Sequence, residues 1–169
     1  MRPSPTCLSV LAFSLAVAAC AAPAASRAPS PDDALAAVAF VHGGAGPWAV
    51  LGYRMGRAAL VRLALPRQSF DLVVVHHAPE KVQFSCMADG ATAATGASVG
   101  KLNLKLALAS DADVSTTYTN RASGKSLTLR PTPAFAARFR DIPVEKLAAA
   151  GREVVSMPDD ALFEEVSVP

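Results

Sequence analysis

Histidine and cysteine carry most of the chemistry available to this 169-residue sequence, which has three of each: His42, His76, His77, Cys7, Cys20 and Cys86. Imidazole nitrogen and thiolate sulfur are the usual ligands of zinc, and the same groups act as base and nucleophile in catalysis. His42 stands before the glycine-rich run Gly43-Gly44-Ala45-Gly46, and Cys86 stands three residues before Asp89. A tight zinc site takes three or four protein ligands. His42 and Cys86 therefore need help, and His76 and His77 are the candidates on ligand count alone. Strand alternation sends those two to opposite faces, so only one of them reaches any given cleft. The plainer alternatives are a core histidine satisfied at a helix C-terminus and a buried thiol, because lone cysteines are among the most buried residues. Asp89 and Lys101 are candidate polar members of a cleft, or else a helix cap and a solvated strand-end charge.

Other motifs fail on context. Gly44 to Ala49 matches G-x-G-x-x-A, but a helix signature precedes it and no acidic residue closes the next strand. Gly96 to Lys101 is one residue short of a phosphate loop, and Leu102 stands where Ser or Thr must meet magnesium. No serine sits in a G-x-S-x-G elbow.

The elements that must position these residues follow from local pattern. Ser30-Pro31-Asp32-Asp33 is a helix start, and Leu35, Val38, Ala39 and His42 form its apolar stripe. Glycine at 43 ends that helix. Pro47 opens a second helix with Trp48, Leu51, Gly52, Met55, Gly56, Ala59 and Leu63 on one face. Gly52 and Gly56 cost about 1 kcal/mol each in helix propensity, so close packing or a ligand should compensate. Phe70 to His77 reads as a covered strand, and Leu102, Leu104, Leu106 and Leu108 alternate as a half-buried one. Asp113 to Asn120 and Lys125 to Arg130 read as a hairpin turning near Gly124. Short helices are expected at Pro133 to Phe139 and Pro143 to Ala150, and an edge strand at Phe163 to Val168. The order indicates one α+β domain, N-terminal helices packed on a mostly antiparallel sheet.

Composition bounds the rest. The chain is 51% apolar and 18% charged with a net charge of +2, enough apolar surface for one folded domain. Its basic residues are scattered singly, which argues against a nucleic-acid partner. The twelve-residue apolar run Leu8 to Ala19 has signal-peptide length and is too short to span a bilayer. It ends Val17-Ala18-Ala19-Cys20, which looks like a bacterial lipobox with Cys20 as the lipidated mature N-terminus. Residues 1–19 are thus expected as signal peptide, 20–31 as a flexible tether and 32–169 as the domain. The expected location is the cell envelope on its periplasmic face, with a secreted or soluble periplasmic protein as the alternative. Cys86 is left without a disulfide partner.

His42-Gly43-Gly44-Ala45-Gly46-Pro47 and Leu51-Gly52-Tyr53-Arg54-Met55-Gly56 resemble the opening blocks H-G-H-x-C-P-G and L-G-Y-R-M-G of the FmdE-like family of formylmethanofuran dehydrogenase proteins. Ser85 to Gly90, Thr95 to Asn103, Thr119 to Lys125 and Pro158 to Phe163 resemble its later blocks in order. The resemblance implies an α+β domain, often a homodimer, with a His and Cys metal site in a cleft. It also marks departures: Gly44, Gly46 and Ala97 stand where that pattern has His, Cys and Cys, and no C-x-x-C supplies a zinc ribbon. If that geometry persists, His42 and Cys86 share a cleft widened at Gly44 and Gly46, near the N–H groups of the second helix, which favour anions.

These readings converge on a lipid-anchored, non-catalytic module that binds a small ligand or a weakly held transition metal such as zinc. No cofactor is required, and its membrane contact is the lipid on Cys20. The alternatives are a metal- or thiol-dependent enzyme using His42 and Cys86, and an accessory component of a redox complex.

Overall fold

The computed structural model describes residues 29–166. The signal peptide, Cys20 and nearly all of the tether lie outside them. Helix α1, Pro31–His42, starts with a capping box in which Ser30 and Asp33 exchange hydrogen bonds, and it ends on Gly43 at φ 87°. Helix α2, Pro47–Arg62, follows directly. Strand β1, Leu72–Ala78, leads into α3, Val82–Thr95, and then through a short 3-10 turn at Val99–Lys101 into β2, Leu104–Leu108. The hairpin is β3, Ser115–Asn120, and β4, Ser126–Pro131. Helices α4, Pro133–Phe139, α5, Leu147–Ser156, and α6, Asp159–Leu162, precede β5, Phe163–Val166.

The five strands form one sheet in the order β2-β1-β3-β4-β5. Only the β1–β2 pair is parallel, because α3 carries the chain back between them. This is the expected α+β domain. Leu72, Val74, His76 and Ala78 of β1 face the helices with Thr116, Tyr118 and Asn120 of β3, and all are buried. The opposite face carries Thr117 bonded to Thr128, Thr119 bonded to Ser126, and the Arg130–Glu164 pair. Helices α2 and α3 lie on the sheet, and α1 and α5 pack over them.

Helix α3 overturns the reading of Asp89 as a helix cap, since Asp89 lies mid-helix. The N-cap of the helix, Lys81, makes no side-chain cap, and Gly90 sits mid-helix against α2. A Cβ at Gly90 would stand 1.9 Å from the Ala49 carbonyl oxygen, and one at Gly52 would stand 2.1 Å from that of Met87. Backbone-to-backbone contact is therefore what Gly52 and Gly90 serve.

The leucine strand is also corrected. It begins at Leu104, since Leu102 adopts φ 55° in the left-handed region. Leu104 alone is buried; Leu106 is 53% and Leu108 75% exposed. Alternation did put them on one face, but the helix layer ends before it covers that face.

Candidate functional site

His42 closes α1, and its Nδ1 lies 2.8 Å from Oδ2 of Asp89 on α3. A carboxylate only accepts, so in the neutral ring Nδ1 carries the proton and Nε2 holds the lone pair. The helix crossing thus sets the tautomer as well as the ring orientation. Cys86 lies one turn before Asp89 on the same helix, and its thiol donates to the Gln83 carbonyl at 3.3 Å. Burial, and then the charge of Asp89, push that thiol up to about 12. Both effects work against a standing thiolate nucleophile at neutral pH.

His42 and Cys86 line one cavity of about 250 Å³. The first turn of α2 forms one wall, from Gly46 to Ala49, and Val82 and Gln83 of α3 form another. The stretch from the end of α4 to the start of α5 closes it with Phe139, Asp141, Ile142 and Leu147. Trp48 is fixed there by its Nε1 donating to the Phe139 carbonyl at 2.8 Å and by edge contacts with Phe84 and Phe135. Asp141 holds a left-handed φ of 55°. With the Gln83 amide oriented to satisfy both groups, it donates to Asp141 Oδ1 and accepts from the Asp141 N–H, each at 3.2 Å. Asp141, Gln83 and Trp48 were missed by sequence reasoning; the only signal was Trp48 at the start of an apolar face.

The remaining candidates stand elsewhere. His76 is fully buried in β1, with Nε2–H donating to the Phe84 carbonyl at 3.1 Å and Nδ1 accepting from Thr116 Oγ1 at 2.9 Å. Both nitrogens are spent, and desolvation pulls its pKa down to about 4. His77 points to the open face of the sheet, away from the helices. Neither lines the cavity. Lys101 donates to the Gly96 carbonyl at 2.9 Å and lies over the Phe70 ring, so it ties the α3–β2 connection together. Gly44 is outside the lining, and a Cβ there would meet nothing within 4 Å; Gly46 does line the cavity, with Leu147 3.8 Å from such a Cβ. Ala97 follows the far end of α3, roughly 14 Å from Cys86 at 1.5 Å per helical residue.

The donor set does not fit a tightly held metal. Among the described residues no three His, Cys, Asp or Glu side chains are grouped to hold an ion, and a structural zinc takes four ligands. What remains is a histidine oriented by a carboxylate, facing an apolar chamber beside a protonated thiol.

The other motif blocks serve the fold. Arg54 donates to the Val155 carbonyl at 2.6 Å and to Asp159 at 2.7 Å, pinning the end of α5 and the start of α6 to α2. Asn103 donates to the Leu72 carbonyl and accepts from the Ser98 N–H, so it clips β2 to β1. Asn120 accepts from the N–H groups of Ala122 and Ser123 and donates to the Leu63 carbonyl, building the hairpin turn.

No curated protein matches the chain. A family model does, that of FmdE, described as molybdenum formylmethanofuran dehydrogenase operon, over residues 41–164. That span runs from the end of α1 to the first residues of β5 and includes the whole cavity. The chain belongs to the FmdE family.

Proposed function

We propose that this FmdE domain is exported, anchored by lipid on Cys20, and binds a small, mostly apolar molecule in the His42 cavity without converting it. The observation that carries this reading is the pairing of His42 with Asp89 at the wall of a chamber whose apolar lining is Pro47, Trp48, Ala49, Val82, Phe139, Ile142 and Leu147, with Gln83, Cys86 and Asp141 as its other polar groups. Nδ1 is committed to Asp89, so Nε2 is the nitrogen left to accept a hydrogen bond from a ligand. Apolar walls with a few placed polar groups are the usual anatomy of a small-molecule site. At about 250 Å³ the cavity falls just under the ~300–1,000 Å³ of drug-sized pockets, which suits a molecule the size of one substituted ring.

Against a thiol-dependent enzyme stands Cys86, whose thiol burial and the neighbouring Asp89 charge hold protonated. The anionic ligand expected from the α2 N-terminus is disfavoured by Asp141, whose carboxylate sits in the wall, with no Lys or Arg among the described lining residues to offset it. A weak metal site on His42 Nε2 and Cys86 is the second reading, and it rests on those two donors facing one space.

The test of binding uses benzyl alcohol, a ring with one hydrogen-bond donor, as probe. Gly46 has φ −73°, and a Cβ there would make only ordinary contact with Leu147 at 3.8 Å, so Gly46→Phe extends into the cavity without backbone strain. Benzyl alcohol at millimolar concentration raises the thermal midpoint of the natural protein and leaves that of Gly46→Phe unchanged; equal response of the two proteins contradicts the reading. Anchoring is tested separately. Replacing Cys20 with Ala moves the protein out of the membrane fraction, and unchanged partition with no lipid mass on the natural protein contradicts it.

A further inference from the structure

The His42 cavity has an apolar end and an acidic end. Pro47, Trp48, Ala49 and Phe139 are buried and form the inner end, whereas Asp141 and Val82 are exposed and stand at the mouth. Half-buried His42 lies on the wall. The side-chain donors there are already engaged. Trp48 Nε1 donates to the Phe139 carbonyl, and the Cys86 thiol to that of Gln83. The Gln83 amide is turned to Asp141, donating to Oδ1 and accepting from the backbone N–H. Two acceptors are left open to a ligand: His42 Nε2, and Asp141 Oδ2, which has no partner among the described residues.

The charge balance is one-sided. Cations adjacent in sequence to the lining are drawn elsewhere: Lys81 and Arg140 pair with Asp111, and Arg138 pairs with Glu153. Lys146 is exposed and outside the lining. Asp89 adds a second carboxylate behind His42. The N-terminus of α2 opposes these with only about half a positive charge. Asp141 is held in a left-handed backbone at φ 55°. Asparagine would tolerate that backbone and accept the same bond from Gln83. Neither the turn nor the Gln83 bond therefore accounts for the charge.

We infer, resting on the reading of this cavity as a small-molecule site, that its ligand is a protonated amine on a short arm of one apolar ring. The ring occupies the buried end, against Trp48 and Phe139, and the ammonium stands at the mouth beside Asp141. An ammonium donates and never accepts, which suits a wall whose open side-chain groups are acceptors. An alkylammonium also keeps its proton at neutral pH, as a lysine does.

The test uses the full chain in the neutral detergent that extracts it, with benzylammonium and benzyl alcohol as probes. The two share a ring and a one-carbon arm and differ in charge. Trp48 is the only tryptophan of the chain, so its indole signal reports occupancy. Asp141→Asn weakens benzylammonium about fivefold, the worth of a partly exposed charge pair, and leaves benzyl alcohol unchanged. Comparing two proteins with one probe cancels whatever the detergent takes up. A second measurement needs no variant: raising salt from about 0.01 M to about 1 M weakens benzylammonium and not benzyl alcohol. Benzyl alcohol binding with benzylammonium equally strong in Asp141→Asn, or insensitive to salt, overturns the inference and leaves the small-molecule reading in place. Equal weakening of both probes in Asp141→Asn makes Asp141 a structural residue and overturns it too. No response of Trp48 to either probe overturns both.

Discussion

Gly90→Ala is expected to unfold this domain at temperatures where the natural protein is stable. The added carbon would lie 1.9 Å from the Ala49 carbonyl oxygen and 2.7 Å from the Tyr53 nitrogen. Both are backbone atoms of α2, so no rotamer change relieves the overlap, and the two helices must separate. Overpacking a core typically costs 1–3 kcal/mol and more when the backbone must move; alanine returns only about 1 kcal/mol in helix propensity. At the upper end of that range a net loss of about 2 kcal/mol follows, roughly 6 °C in thermal midpoint for a domain of this size. Gly44→Ala is the control. Nothing lies within 4 Å of its Cβ position, and its midpoint should shift by no more than a surface substitution does, within ~0.5 kcal/mol. Calorimetric or fluorescence melting of the two variants decides the matter, and a Gly90→Ala midpoint close to the natural one would refute the close crossing.

The second large effect is acid lability centred on His76. Its pKa falls from 6.5 in the unfolded chain to about 4 in the fold, chiefly through desolvation. The folded pKa is the lower one, so the unfolded chain binds the proton first. Stability is whole above about pH 6.5, declines as pH falls, and is fully lost from this group below about pH 4. At 1.36 kcal/mol per unit the loss is ~3 kcal/mol. Asp33, held low by Ser30, and Asp111, held low by Lys81, act in the same direction but at lower pH. Their contributions disappear only as pH drops below the ordinary carboxylate value of 3.8, outside the histidine window. Denaturant melts from pH 7 to 4 should show the decline, and His76→Gln, which keeps a donor and an acceptor for Phe84 and Thr116, should flatten it. An unaltered slope in His76→Gln would place the titration elsewhere.

Much of the architecture was legible because it is written in local signals. The Ser30 box, Gly43 and Pro47 delimit α1 and α2, and the period-two runs around Gly124 delimit the hairpin. Helix α3 was not legible. It is buried nearly all round, carries alanines, threonines and a mid-helix glycine, and lacks a cap, so its apolar stripe has no polar face to contrast with. Its Asp89-Gly90 pair has the composition of a turn, and only the tight contact with α2 explains the glycine. Periodicity likewise identified the face that His76 occupies, but not that Thr116, forty residues later, would satisfy its second nitrogen. Leu106 and Leu108 share the alternation of Leu104, yet whether a face is covered depends on where the helix layer stops.

The candidate site divides the same way. That His42 and Cys86 share a cavity was anticipated from the order of the motif blocks, whereas the partnership of His42 with Asp89 required the helical spacing of α3. Gln83, Asp141 and the closing segment from Phe139 to Leu147 come from parts of the chain with no chemical signature. The expectation that Lys101 joins the site fails because its block is a connection: Thr95, Ser98, Lys101 and Asn103 bond one another's backbone neighbourhood and secure β2. The same block departs from its family pattern at Ala97, which is buried at that far end of α3.

The central claim, that the His42 cavity takes a small apolar molecule and does not hold a metal tightly, is tested most directly by nuclear magnetic resonance of chelator-treated protein. The signals to follow are the His42 ring nitrogens, the Trp48 indole and the Cys86 β-carbon, during separate titrations with benzyl alcohol and with zinc. The account predicts a protonated Nδ1 and a lone pair on Nε2 at the outset, saturable benzyl alcohol shifts at all three residues, and zinc shifts only at high excess. Stoichiometric zinc uptake at His42 and Cys86, with no response to benzyl alcohol, would contradict it.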